Sequence, residues 1–295
     1  MSIKFWMIPA LLWSVPVTAV DNAYEKSVLE YRQKIETTLK SDTGWLTVAG
    51  LHWLKEGANR IGTDPNSDFI LPEGKAPAKA GVFLFDGKTV KVKAERGVNL
   101  LVNGKAPTDA PLVNDADEKQ DFVTIGDLSM FVIDRGGKVG IRLRDKSSKF
   151  RKEFTHRSWY PVKPDYKING KFIPYAEPKF LKTDTVIAGV YEDHKSPGEI
   201  EFTLNGEVLR AQVLEASDNR LWLIFRDRSS GKSTYPAGRF LYGDINKDGS
   251  VTFDFNRAYN PPCAFTPFAT CPIPPRQNYL GVSIEAGELT YHLEP

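Results

Sequence analysis

Cysteine, histidine and a surplus of either charge are what this sequence has least of. Two cysteines in 295 residues exclude a scaffold built on disulfides, although they allow one bridge. The four histidines, His52, His156, His194 and His292, stand far apart and form no H-E-x-x-H or H-x-H pair, so no metal site is assigned. With 39 basic and 37 acidic side chains there is no strongly basic domain, and no nucleic-acid partner is expected. No apolar run reaches the roughly 18 residues of a transmembrane helix, so the mature chain is expected to have no membrane span. No cofactor motif is complete, and none is assigned. Gly231-Lys232-Ser233-Thr234 ends like a phosphate-binding loop, but Arg226 stands where its first glycine belongs and Tyr235-Pro236 denies the following helix. Gly281-Val282-Ser283-Ile284 stops short of a nucleophile elbow at Glu285.

What is present suffices for a large core: 41% of the residues are hydrophobic and 12% aromatic, which sets aside disordered, collagenous and coiled-coil classes. The length suggests about two domains. Residues 1–19 read as a secretory signal, with Lys4 as the positive end and Phe5 to Trp13 as a short apolar run. Small residues follow at Val17-Thr18-Ala19, and Pro9 and Pro16 oppose a buried helix. A periplasmic or secreted location is therefore expected.

Residues 20–44 are expected to hold one helix over Asp21–Leu39, with Tyr24, Val28, Tyr31, Ile35 and Leu39 on one stripe and Gly44 as the stop. From Trp45 onward the period changes. Five Asn-Gly or Asp-Gly pairs (Asp86-Gly87, Asn103-Gly104, Asn169-Gly170, Asn205-Gly206 and Asp248-Gly249) mark tight hairpin turns. Ile200, Phe202 and Leu204 precede one turn and Val208 follows it, while Leu221 to Phe225 is an apolar run suited to a buried strand. Val251, Phe253 and Phe255 alternate with Thr252, Asp254 and Asn256, which predicts opposite faces. The fold is thus expected to be mainly β. A first β module over 45–152 follows the helix, and a second antiparallel barrel or open sheet over 153–295 carries a Pro-rich cysteine loop. Pro161 and Pro164 mark the boundary.

The first module resembles a fork-head-associated (FHA) domain, a β-sandwich that reads phosphothreonine. The likeness lies in Arg60-Ile61-Gly62-Thr63, Asp68-Phe69-Ile70-Leu71-Pro72, Val102-Asn103-Gly104 and Val123-Thr124-Ile125-Gly126. Thr63 stands where that family carries arginine, and Ala76-Pro77-Ala78-Lys79-Ala80-Gly81 replaces its Ser-Arg-x-His run. Those polar groups bind phosphate through charge-assisted hydrogen bonds, so their loss argues against a phosphopeptide partner.

The densest group of unusual residues is Asp254-Phe255-Asn256-Arg257-Ala258-Tyr259-Asn260-Pro261-Pro262-Cys263, continuing through Cys271-Pro272-Ile273-Pro274-Pro275 to Asn278. With Gly238-Arg239-Phe240-Leu241, Glu285-Ala286-Gly287-Glu288 and Gly44-Trp45-Leu46, it resembles DUF1684, a family of bacterial and archaeal proteins without an assigned activity. The resemblance spans nearly the whole mature chain and fixes no function. Read as chemistry, the segment offers a carboxylate, amides and guanidinium groups on a proline-stiffened loop. Arg239, Asp254, Asn256, Arg257 and Asn260 are therefore the candidate contacts for a small polar ligand, and the residues leave turnover open. The rival reading is a structural or interaction module of the cell envelope, in which the same groups only shape the loop. Cys263 and Cys271 enclose seven residues, and export favours a disulfide over two structural thiols or a redox or metal pair. Asp244, Asn246 and Asp248 have the spacing of a calcium loop, but Phe255 replaces its closing glutamate, so a hairpin turn explains them more simply. An acid pair of Asp254 with Glu285 or Glu288 would require the final strands to meet.

Overall fold

The computed structural model describes residues 22–217 and 219–291. The expected export segment, residues 1–19, and His292 lie outside them. Helix α1 (Asn22–Lys40) begins one residue later than the stripe predicts and runs one residue further. It stops because Gly44 turns the chain so closely that a Cβ there would lie 2.2 Å from the Leu39 carbonyl oxygen. A 3₁₀ turn, Trp45–Thr47, leads into the first strand.

The strands that follow are β1 (Val48–Trp53), β2 (Gly57–Gly62), β3 (Phe69–Ile70), β4 (Gly81–Phe85), β5 (Val90–Ala94), β6 (Leu101–Val102), β7 (Val123–Ile125), β8 (Leu128–Arg135) and β9 (Lys138–Asp145). They form two sheets, ordered β1-β9-β8-β7-β6 and β3-β2-β4-β5. Inward residues such as Ile61, Phe83, Val92, Leu128, Met130 and Ile141 pack between them as one apolar core. This is the sandwich that the FHA resemblance implies.

A short helix α2 (Lys149–Glu153) precedes the second body of strands: β10 (Lys167–Asp184), β11 (Tyr191–Leu204), β12 (Glu207–Glu215), β13 (Arg220–Phe225), β14 (Arg239–Ile245) and β15 (Ser250–Asp254). These close into a six-stranded antiparallel barrel, which settles the alternatives of barrel and open sheet. Ile200, Phe202, Leu223, Phe225, Phe253 and Phe255 fill its interior. Closure brings Gly243 against the Phe253 ring, where a Cβ would meet the ring at 2.5 Å. Asn205-Gly206 turns β11 into β12 with φ of 53° and 79°. Val208, expected inside, is 68% exposed, and the inward position belongs to Leu209. Asn169-Gly170 makes no turn. Both residues lie within β10 and pair with β15, because the strand runs on through them. Asp248-Gly249 does turn β14 into β15: Asp248 accepts from the Ser250 amide at 2.9 Å. Among the described residues, no group of three or more His, Cys, Asp or Glu is placed to hold a metal ion.

After Asp254 the chain continues with only short 3₁₀ turns at Phe255–Arg257, Pro262–Ala264 and Arg276–Asn278. Phe255, Ala258, Leu280, Val282, Ile284 and Ala286 pack into the barrel core, and Tyr259, Cys263 and Ala269 pack with Trp222 and Phe240 on its outer face. The strict alternation read through Asn256 therefore ends at β15.

Candidate functional site

The cluster Asp254–Asn260 sits where α1 meets the barrel, and most of its polar groups face the helix. Tyr24 donates from Oη to Asp254 Oδ1 at 2.9 Å, and Asn256 Nδ2 donates to Tyr24 Oη at 3.0 Å. Arg257 Nη2 donates to Ser27 Oγ at 3.0 Å. Arg32, buried on the helix, donates from Nη2 to the Asn256 carbonyl at 3.0 Å and from Nη1 to the Tyr160 carbonyl at 3.1 Å. Burial raises the Tyr24 phenol well above its usual range, with the Asp254 charge adding to the effect, so it stays a donor at neutral pH.

Two expected contacts are structural instead. Arg239 is fully buried: Nη2 donates to Asp227 Oδ1 at 3.3 Å and to the Ile284 carbonyl at 3.0 Å, and Nη1 reaches the Ala286 carbonyl. Asn256 is equally buried. Its Oδ1 accepts from the Lys163 amide at 3.0 Å, and its Nδ2 donates to the Lys163 carbonyl at 2.8 Å. Arg239 thus satisfies carbonyls of the segment that follows β15 and Asn256 the backbone of Lys163, so neither is available to a ligand.

The other three line a cleft between α1 and the outer face of β13 and β14. Asp254 and Arg257 line its polar lobe, about 440 Å³, together with Lys167, Arg220, Tyr242 and Asp244. Asn260 lines its aromatic lobe, about 660 Å³, with Tyr31, Trp45, Trp222, Phe240, Tyr259 and Phe265. Tyr31, Arg220 and Tyr242 belong to both lobes and join them. The rings of Trp222, Tyr242 and Tyr259 follow one another at 6.3 Å and 21°, and Phe240 stands edge-on to Trp222 at 4.9 Å. The Arg220 guanidinium lies over the Tyr242 ring at 4.8 Å. Strand period produces this face: Arg220 and Trp222 pair with Asp244 and Tyr242 and point outward, while Leu221 and Leu223 fill the barrel. The apolar run read as wholly buried thus has two faces.

Asn260 is 1% exposed and half used. Nδ2 donates to the Leu289 carbonyl at 2.7 Å, whereas Oδ1 has no protein partner. Trp222 Nε1 is likewise buried without one. Asp254 Oδ2 lies 3.3 Å from Arg257 Nε, an ion contact misaligned for a hydrogen bond. Behind the aromatic lobe, Glu288 is fully buried and receives Arg157 through two bonds of 2.8 Å, while its Oε2 accepts from the Asn260 amide at 2.7 Å. Burial holds the Glu288 carboxyl above its usual range, although Arg157 opposes the shift. Asp254 and Glu288 therefore serve different partners: Tyr24 and Arg257 for the first, Arg157 and the Asn260 amide for the second.

Cys263 and Cys271 do not form the expected disulfide. Both are buried free thiols, and the Cys263 amide donates to Cys271 Sγ at 3.2 Å. The loop bends back so that one sulfur serves as a hydrogen-bond acceptor. Both pack with Phe240, Trp222, Tyr235 and Tyr259 beneath the aromatic floor. The bond to Cys271 lowers the Cys263 thiol, whereas burial raises Cys271 well above its usual value.

Sequence reasoning missed Tyr31, Arg220, Trp222, Tyr242 and Tyr259 as lining residues. The alternation Arg220, Trp222 against Leu221, Leu223 was the available signal.

The architecture is that of a β-sandwich joined to a closed β-barrel with one docked helix. Residues 152–289 match the family DUF1684, described as a protein of unknown function. That span excludes Gly44-Trp45-Leu46, so the match is narrower than the whole-chain resemblance. An uncharacterised protein of Haloarcula marismortui, solved by NMR, is 27% identical over 48% of this chain and 79% of its own, with a TM-score of 0.40. An FHA domain described for phosphothreonine-dependent interactions is 21% identical over 32% of this chain and 92% of its own, with a TM-score of 0.23. The FhaA FHA domain, solved with the intracellular domain of a partner, is 20% identical over 32% of this chain and 97% of its own, also at 0.23. Comparison with curated proteins finds no match.

Proposed function

We propose that this protein is exported and binds a small polar ligand in the cleft between α1 and the barrel. The observation that carries the reading is Asn260 Oδ1, a buried acceptor without a protein partner in a lobe whose walls include seven aromatic rings. Leaving such an acceptor unsatisfied costs about 1–3 kcal/mol, which a ligand donor would offset. Both Asp254 oxygens already face protein groups, so binding is favoured over general-base chemistry. Phosphopeptide binding is outside this reading, since Thr63 and residues 76–81 lack the required polar groups.

A thermal-shift screen of small polar metabolites tests the proposal. A ligand at about 100 times its Kd should stabilise the fold by roughly 2.7 kcal/mol. It should also slow hydrogen exchange in α1 and β13–β14. Hits that protect only the sandwich would refute the site. The fully committed Arg239 and Asn256 favour the rival structural reading, which a screen without hits would support.

Export would place the chain in an oxidising compartment, where the adjacent thiols of Cys263 and Cys271 could close to a disulfide. The intact mass of protein recovered from a periplasmic or secreted fraction should show loss of residues 1–19 and of two hydrogens. An uncleaved chain found in the cytoplasm would reject export.

A further inference from the structure

We propose that the ligand is a ring-bearing anion, an aromatic carboxylate in its simplest form, with its ring on the Trp222–Tyr242–Tyr259 face and its charge drawn by Lys34 and Lys167. The inference rests on the cleft being a ligand site and adds the chemical class. Three observations converge on it.

Charge comes first. Arg157 is neutralised by Glu288, Arg257 faces Asp254, and Arg220 stands opposite Asp244 in the β13–β14 ladder. Lys34 and Lys167 then remain as lining cations without a lining carboxylate to match them. In a chain with a net charge of only +2 this is a local excess. A cleft of one sign with low-dielectric walls concentrates ligands of the other.

Shape comes second. Trp222, Tyr242 and Tyr259 are near-parallel, and Phe240 meets both Trp222 and Tyr259 edge-on at 82° and 88°. Flat, rigid surfaces of this kind favour a planar partner through stacking and apolar contact. An aliphatic anion would use the cations and leave the rings unused. Hydrogen bonding comes third. Asn260 Oδ1 requires a donor, so a ring hydroxyl suits it.

Calorimetric titration of the full chain with 4-hydroxyphenylacetate, its neutral analogue 4-hydroxyphenylethanol and acetate tests the class. The aromatic acid should bind about tenfold more tightly than the alcohol at low salt, and acetate more weakly than either. The gap should narrow at high ionic strength and in Lys167→Gln and Lys34→Gln, both changes at exposed residues that leave the fold intact. Tyr242→Ala should weaken both aromatic ligands alike. Equal affinity for the acid and the alcohol would overturn the class while leaving the binding site standing. No binding by any probe, or acid binding untouched by Lys167→Gln, Lys34→Gln and Tyr242→Ala alike, would overturn the class and the site together.

Discussion

The sandwich and the barrel reach compactness by different chemistry. The sandwich core is a continuous apolar layer; among its buried polar residues Asp145 takes Lys75 and Arg142 reaches Thr270 of the segment that follows β15, while others serve local turns. Asn59, for example, accepts from the Lys55 amide at 3.0 Å and donates to its carbonyl at 2.7 Å, closing the bend between β1 and β2. The barrel has an apolar interior too, but it is wrapped by residues 255–289, a segment held by buried polar side chains. Asn278 shows how. Its Oδ1 accepts from the Gln212 amide, and its Nδ2 donates to the Gln212 and Ile224 carbonyls, each at 2.8 Å. The β12–β13 ladder pairs only Leu214 with Trp222 and Glu215 with Leu221, and Asn278 is inserted where it opens. Asp227 does the same for the next stretch, accepting from the Ile284 amide at 2.7 Å. A sheet satisfies its backbone by repetition. An irregular wrap needs a specific side chain at each step, which fixes one path at the cost of desolvating polar groups.

That contrast is broken most strongly at Glu288. Glu288→Ala leaves the Arg157 guanidinium buried and unpaired, and it removes the acceptor of the Asn260 amide. Losing one partner of a buried ion pair typically costs about 3–5 kcal/mol. The expected result is a lower urea midpoint, with exchange protection lost first in the wrap and in α1, whose Glu36 accepts from the Arg157 amide. The double substitution Arg157→Met with Glu288→Leu should recover most of the loss. A single variant within about 0.5 kcal/mol of wild type, a typical surface effect, would show that the pair does not hold the wrap.

The same contrast explains what was legible in the sequence. The α1 stripe and the Asn205-Gly206 and Asp248-Gly249 turns follow from local periodicity and turn chemistry, which act over a few residues, whereas the sandwich was read from motifs that resemble FHA domains. Asp254, Asn256, Arg257, Arg239 and Asn260 were found because polar residues crowd a proline-rich stretch. Their division into ligand-facing and structural groups was not visible, because it depends on tertiary partners that sequence spacing does not name: Asp227, Ile284 and Ala286 for Arg239, Lys163 for Asn256, and Tyr24 and Ser27 for Asp254 and Arg257. The aromatic floor was hidden differently. Arg220 and Trp222 alternate with core leucines, but a barrel can bury one face and cover part of the other with a helix, and only the tertiary structure supplies that cover. Asn169-Gly170 failed because strand pairing on either side outweighs a turn-prone dipeptide.

A smaller effect sharpens the comparison from the sandwich side, where His52 lies against the Phe69 ring at 4.4 Å. Burial lowers its pKa below the usual 6.5, so the folded state favours the neutral ring. The sign follows directly: an unfolded chain binds the proton more readily, so this contribution to stability is full above about pH 6.5 and is lost as the pH falls toward the depressed folded value. Exchange protection of β1 and β9, corrected for intrinsic rates, should therefore decline between pH 7.5 and 5 in wild type and decline less in His52→Leu. Because the ring is only half-buried the change should be modest, well below that of Glu288→Ala. Identical slopes in the two proteins would remove His52 as the cause. Equal slopes in sandwich and barrel strands would show that acid acts on the whole molecule rather than on the half whose core holds a neutral imidazole.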